Sequence, residues 1–396
     1  MIQPSKRTNG VSEYYFSKKL QEIDLMNRQG AKVINLGIGA PDRMPPESAV
    51  RVLVEESLDA ANHAYQSYKG IAQLRQGFAD WYKEYYRVDL DPATEIQPLV
   101  GSKEGILLLS LAFLNPGDRV LVPDPGYPTY SSASLLAEAE PVPYDLKEER
   151  GWMPDFEQLE SMDLSRVKIM WTNYPHMPTG ARADRKLFER LVDFGMKHNI
   201  LICNDNPYSF ILCEEQLSIL SVPRSKACCV ELNSLSKAHN MSGWRIGMLA
   251  GDANVVAQVL KVKSNMDSGM FKPLQLAAVE ALRQDREWYG QLNSEYRERQ
   301  VLAGEIFDAL DVTYDRRCGG MFLWGKVGTA WENGSRLSDY VLEKAHVFIT
   351  PGFIFGRNGE RYVRISLCAG QEVLREAAGR IREALGVSRF KHGSFC

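Results

Sequence analysis

Between about residues 70 and 250 the chain switches repeatedly between the apolar period of an amphipathic helix and the compact apolar runs of buried strands. Residues 70–87 and 103–114 carry helical patterns, and the turn NPGD closes the second. RVLVPDP (119–125), VKIMWTNYP (167–175) and HNILICNDNPY (198–208) read as short strands running into polar or proline-containing turns. Between the last two lies ADRKLFERLVDFGMKH, which puts Leu187, Leu191 and Phe194 on one helical face. Strand–helix–strand order with apolar, β-branched strands predicts a mostly parallel sheet covered by helices on both faces. Such sheets bind ligands beyond the carboxyl ends of their strands. The segments Asp124 to Tyr127, Asn173 to Gly180 and Asp205 to Tyr208 therefore hold the first candidates for chemistry.

Outside this region, residues 12–29 suggest a helix ended by Gly30, followed by the short apolar segment VINLGIGAPD. Residues 272–310 contain few breakers and predict long helical structure. Strands near 320–326 and 361–367 and a helix near 371–385 predict a smaller α+β unit. A chain of 396 residues exceeds the size at which one core stops growing. The expected division is an arm and part of the small domain at 1–45, a large domain at 46–275 and a C-terminal small domain at 276–396.

Composition removes several classes of function. Lys+Arg is 47 and Asp+Glu is 50, a net charge of −3, so neither nucleic acid nor an anionic membrane surface is an expected partner. The start, MIQPSKRTNG, lacks the apolar core of a signal peptide, and the longest uncharged apolar run, 105–114, is too short to cross a bilayer. Seven scattered cysteines without a C-x-x-C pair read as reduced thiols, which places the protein in the cytoplasm. None of the six histidines pairs with another at ligand spacing, so no metal site is expected.

The stretch NSLSKAHNMSGWRIG (233–247) is too polar for a core strand and too broken for a helix. Alone, Lys237 reads as a solvated surface lysine. Its neighbours change that: hydroxyl residues precede it and Arg245 follows. A lysine in a desolvated, cation-rich pocket has a lowered pKa and forms Schiff bases. S-x-S-K followed by G-W-R-I-G resembles the cofactor-lysine segment of class I/II aminotransferases, the fold-type I enzymes that use pyridoxal 5′-phosphate. The resemblance runs from LGIGAPD to YVRISL, and is nearest to the branch of aspartate, methionine and LL-diaminopimelate aminotransferases. It implies a large domain with a mostly parallel seven-stranded sheet between helices, plus a smaller α+β domain.

The resemblance also implies roles. Lys237 would hold the cofactor as a Schiff base and then move the substrate's proton. Ser234, Arg245 and the start of the helix at Ser102 and Lys103 (in GSKEG) would hold the phosphate. Tyr127 (in DPGYP) would stack on the ring. Asp205 (in DNPY) would pair with the ring nitrogen, and Tyr208 would donate to the 3′ oxygen. Arg364 (in RYVRISL) would grip the substrate's α-carboxylate, with the backbone at Gly39 close by. Tyr65 would reach the phosphate of a neighbouring subunit, which implies a homodimer. Without the resemblance, GSKEG is an ordinary helix start, Tyr127 a turn residue, Asp205 a helix cap, Tyr65 a packing residue and Arg364 an outward strand arginine.

One position departs from the family. NYPHMPTG puts Met177 where an asparagine donates to the 3′ oxygen, and a thioether cannot donate. The expected consequence is a more basic lysine–cofactor imine, unless Asn173, His176 or Asn206 replaces the donor. The expected activity is transfer of an amino group from an L-amino acid to a 2-oxo acid by a ping-pong route. The alternatives are a β-lyase or decarboxylase on the same scaffold, or an effector-binding regulator. The regulator needs a DNA-binding segment ahead of a match that begins near residue 12. The side-chain pocket is expected to involve loops, the partner subunit and the N-terminal arm around Tyr14 and Tyr15.

Overall fold

The computed structural model describes residues 2–11 and 15–386. Tyr14 and Cys396 lie outside the described residues. The chain begins with α1 (Lys6–Asn9), α2 (Tyr15–Arg28), β1 (Ile34–Asn35), α3 (Glu47–Glu56) and α4 (Ala72–Tyr86). It continues through β2 (Ile96–Leu99), α5 (Ser102–Phe113), β3 (Arg119–Asp124), α6 (Thr129–Leu136), β4 (Glu140–Asp145) and α7 (Phe156–Ser161). Then come β5 (Val167–Thr172), α8 (Arg185–His198), β6 (Leu201–Asp205), β7 (Cys229–Ser234), β8 (Gly247–Gly251) and α9 (Ala253–Lys263).

These strands form one seven-stranded sheet in the order β2-β8-β7-β6-β5-β3-β4. All neighbours run parallel except β8, which is antiparallel to both β2 and β7. The pleat sorts side chains between two cores. Ile169 and Trp171 of β5 and Cys203 of β6 join the core with Leu108 and Leu109 of α5 and Val259 of α9. Met170 and Ile202, one residue along, join the opposite core with Phe78 of α4 and Leu187 and Leu191 of α8. Helix α8 starts where Asp184 accepts from the Leu187 amide at 2.8 Å and stops at Asn199 in the left-handed region.

The remaining elements are α10 (Lys272–Leu282), α11 (Arg286–Ala309), β9 (Val312–Tyr314), β10 (Phe322–Val327), α12 (Gly334–Ala345), β11 (Val347–Phe348), β12 (Thr350–Pro351), β13 (Tyr362–Ser366) and α13 (Gln371–Ala384). The helical stretch expected over 272–310 is two helices. Asp285 caps the second by accepting from the amides of Glu287 and Trp288 at 3.0 and 3.1 Å, so the break carries its own start signal. A four-stranded antiparallel sheet, β12-β13-β10-β9, packs its own core against α11 and α13. On β13, Val363 and Ile365 are core residues, and Arg364 lies between them, paired in register with Trp324 and Thr350.

Buried arginine binds the start of the chain to this second unit. Arg299, 2 % exposed, donates to Asp42 at 2.7 and 3.1 Å, to Glu295 at 2.5 Å and to the Leu367 carbonyl at 3.1 Å. The segment after β1 is thereby held beside the end of β13.

Leu191 is fully buried on the sheet-facing side of α8. Leu191→Ala is expected to cost about 2–5 kcal/mol of unfolding free energy, because the surrounding core closes only part of the cavity. Denaturant titration should show a lower midpoint with an unchanged slope.

Candidate active site

The carboxyl ends of β2, β3, β5, β6 and β7 lie along one edge of the large sheet. The chain segments leaving them line a single cleft of about 420 Å³. Gly39, Ser102, Lys103, Tyr127, Asp205, Tyr208, Ser234, Lys237, Arg245 and Arg364, all singled out from the sequence, face it together. Tyr65 does not line this cleft and is 91 % exposed.

At one end, α5 begins at Ser102 directly after Gly101, which has φ +77 and gives the helix no side-chain cap. A Cβ on Gly101 would overlap the Arg245 guanidinium, so only glycine satisfies both the backbone angle and the close approach. Arg245 donates to the Ser242 carbonyl at 2.8 Å. Uncapped helix-start amides, the hydroxyl residues Ser102, Ser234 and Ser242, and a guanidinium converge here, a donor set suited to a phosphate. The start of α5 is held from behind: Glu104 accepts from the Val100 amide at 2.7 Å and from the buried Lys263 amine at 3.0 Å.

On the floor of the cleft Asp205, the last residue of β6, is 5 % exposed. Its Oδ2 accepts from the Tyr130 phenol at 3.0 Å, and the Tyr130 ring stacks on Trp171 at 4.9 Å. Asn173 Nδ2 donates to the Asp205 carbonyl at 2.5 Å. Oδ1 of Asp205 is buried without a hydrogen-bond partner. Burial pushes the Asp205 carboxyl up to about 7; Glu231 adds in the same direction, while Tyr130 and Lys237 oppose. An unpartnered carboxylate oxygen under an anion cradle fits a phosphorylated heterocycle with a protonated ring nitrogen. Burial also pushes the Tyr208 phenol up, which keeps it a hydrogen-bond donor.

Lys237 follows β7, and its Nζ donates to the Gly39 carbonyl at 2.5 Å. Burial lowers the amine's pKa, and the Arg364 and Arg245 guanidiniums act in the same direction against Cys368 and Asp205. Arg364, 3 % exposed, donates to the Gly37 carbonyl at 2.7 Å. Its guanidinium lies over the rings of Phe322 (3.9 Å), Phe355 (4.6 Å) and Phe16 (5.7 Å).

The Met177 thioether takes a hydrogen bond from Arg364 Nη1 at 3.2 Å. Of the three side chains that could replace a missing donor, Asn173 lines the cleft, whereas Asn206 and His176 do not, and the His176 Nε2 is buried without a partner. Asn173 holds the Asp205 carbonyl and the Met177 amide, Asn206 Nδ2 donates to the Leu217 carbonyl at 3.0 Å, and His176 Nδ1 meets Thr179 at 2.8 Å.

The sequence reading missed Tyr130, Phe16, Phe322 and Phe355. Tyr130 had a signal, since it stands three residues after Tyr127, in the first turn of α6. The phenylalanines had none, because they come from α2, β10 and the turn after β12. The described residues hold no cluster of three or more groups able to bind a metal, and none of their helices is long and apolar enough to cross a membrane.

The profile of the family "Aminotransferase class I and II" matches residues 31–381. The LL-diaminopimelate aminotransferase of Moorella thermoacetica is 38 % identical over 391 residues, covering 98 % of this chain and all of the relative. Transaminase BacF of Bacillus subtilis is 38 % identical over 384 residues, 96 % of each chain. Its substrate-bound structure aligns with a TM-score of 0.91 at 36 % identity, covering 97 % of this chain and 98 % of that one. The chain belongs to the class I and II aminotransferases, and is a fold-type I enzyme that transfers amino groups with pyridoxal 5′-phosphate.

Proposed function

We propose that the chain moves the amino group of an L-amino acid to a 2-oxo acid in two half-reactions, with Lys237 as both the cofactor-bonding amine and the proton carrier. The observation that carries this reading is the Lys237 amine, desolvated in one cleft with the Asp205 carboxyl and the Arg245 and Arg364 guanidiniums. When bound, the cofactor supplies an electron sink for the carbon that loses its proton. A lowered amine pKa gives Lys237 a larger neutral fraction, which it needs as nucleophile and as base. Ser102, Lys103, Ser234 and Arg245 hold the phosphate. Asp205 would accept the cofactor's ring N–H at its unpartnered oxygen, where a neighbouring cation would favour the ionised carboxylate. Tyr127 would cover the ring and Tyr208 would donate to its oxygen. Arg364 fixes the α-carboxylate and the backbone at Gly39 passes beside it.

The division into an arm with part of the small domain (1–45), a cofactor domain (46–275) and a small domain (276–396) belongs to this proposal; its support is the seven-stranded and four-stranded sheets, each packed on its own core, while Ala278, Ala281, Leu282 and Tyr289, beyond 275, join the core of the larger unit. A homodimer belongs to the proposal too. Its support is an exposed apolar run, Met44, Val54, Leu58 and Tyr65, on the segment that carries the tyrosine assigned to the partner's phosphate. A cytoplasmic setting is supported by six free cysteines among the described residues.

Holoenzyme given one amino acid should release its oxo acid without ammonia and then stop until a second 2-oxo acid is added. Release of ammonia and pyruvate would instead mark a lyase. Lys237→Ala and Asp205→Asn should each lower turnover by on the order of 10²–10⁴-fold. Borohydride should trap the cofactor on the Asp205→Asn protein and on the parent, but not on Lys237→Ala.

Tyr65 is tested by complementation. Co-expressed Lys237→Ala and Tyr65→Ala chains form mixed dimers in which one site has its own Lys237 and the other chain's Tyr65. That site should regain parental cofactor affinity, whereas a Tyr65→Ala homodimer should not. Equal affinity in both would remove the interface assignment.

Met177→Asn restores a donor near the ring oxygen and stabilises its anionic form. The pH midpoint of the resting holoenzyme's colour change should fall by about one unit. An unchanged midpoint in a pH titration of the absorbance would show that Met177 does not set it.

A further inference from the structure

We propose that the pocket beside Arg364 accepts an apolar side chain, aromatic or long aliphatic, and rejects a substrate with a charged distal end. The inference rests on the reading above that Arg364 grips the α-carboxylate. With that group fixed, the substrate's side chain lies within the same cleft, among the residues that line it beside the guanidinium.

Those surroundings are apolar. Phe322, Phe355 and Phe16 present their rings to Arg364 at 3.9, 4.6 and 5.7 Å, and the Met177 thioether is 3.2 Å from it. Leu20 lines the same cleft one turn after Phe16, so α2 presents a two-residue apolar wall. The loop after β1 adds Ile38. Thioether and aromatic rings adapt to apolar ligands of differing shape.

The charged residues lining the cleft are Lys103, Asp205, Lys237, Arg245 and Arg364. Arg245 and Lys103 stand at the start of α5, where the phosphate is placed, and Lys237 is committed to the cofactor. Among the described residues of the cleft this leaves Arg364 alone for substrate carboxylates. One guanidinium fork holds one carboxylate in bidentate fashion. A second carboxylate on the substrate would lose its water against Phe16, Leu20 and Ile38, and the described residues of this chain's cleft offer it no further cation, which disfavours it. A buried phenyl or branched alkyl group gains where the carboxylate loses.

The test is the half-reaction of the pyridoxal-phosphate-loaded enzyme with single donors, followed by loss of the bound cofactor's visible absorbance. The donors are phenylalanine, leucine, methionine, aspartate, glutamate and LL-diaminopimelate, the last being the substrate in the names of several relatives. The apparent second-order rate constant for the best apolar donor should exceed each charged donor by at least ~10-fold, the lower bound for burying such a side chain. A charged donor reacting as fast as phenylalanine or faster overturns the proposal but leaves the aminotransferase reading intact. No bleaching by any donor would count against that reading instead.

Leu20→Arg supplies the missing cation from a position exposed enough to hold it. The ratio of the phenylalanine to the glutamate rate constant should fall at least ~10-fold, the size of a single charge-assisted hydrogen bond. An unchanged ratio would overturn the assignment of α2 as the wall of the side-chain pocket.

Discussion

An amine and a carboxyl that are both taken out of water in one cleft set the terms for the rest of this molecule. Burial disfavours the charged form of each, lowering the pKa of Lys237 and raising that of Asp205. Neither residue is stabilising where it stands, and each needs surrounding groups that fix its position. Tyr130 and Asn173 hold Asp205 by its side chain and backbone, and the Gly39 carbonyl holds the Lys237 amine. A ring that presents a cation to Asp205 and an aldehyde to Lys237 resolves both demands at once. In the proposed reading, that match sets the cofactor apart from anions in general.

The fold delivers these groups by simple rules. Parallel strands end on the same edge, so residues far apart in the chain become neighbours there: Asp205 at the end of β6 is in register with Leu232 of β7, five residues before Lys237. Helix α5 starts at the same edge and aims its uncapped amides at the cleft. The antiparallel sheet contributes by alternation. Val363 and Ile365 bury against α11 and α13, and the residue between them must face the other way, where it meets the aromatic rings of Phe322, Phe355 and Phe16.

Met177 joins these two halves. Its amide is tied to Asn173, which also holds Asp205, and its sulfur contacts Arg364. A polar residue there would offer hydrogen bonds to the ring oxygen and to the arginine, whereas the thioether offers a weak acceptor and a soft apolar surface. One side chain thus links the asparagine that holds Asp205 to the guanidinium of Arg364.

Local pattern determined much of this protein. The helical face of Leu187, Leu191 and Phe194, the strands at 119–125, 167–175 and 198–208, and the polar segments following them were legible because burial on two faces leaves an unbroken apolar run. Lys237, Asp205 and Arg245 were singled out because their segments resemble those of a known family, since alone they read as a surface lysine, a helix cap and a turn arginine; the structure brings all three to one cleft. The break at 283–285 was overlooked, although Asp285 is a helix-start residue, because the apolar pattern resumes directly after it. Tertiary structure alone decided which residues meet. Phe16, Phe322 and Phe355 come from three separate elements, and their convergence on Arg364 follows from packing between α2, β10 and the turn after β12. Nothing within hydrogen-bonding range along the chain encodes that contact. It arises because the carboxyl ends of the large sheet's strands and one face of the four-stranded sheet border one cleft, and only three-dimensional packing fixes which side chains line its walls.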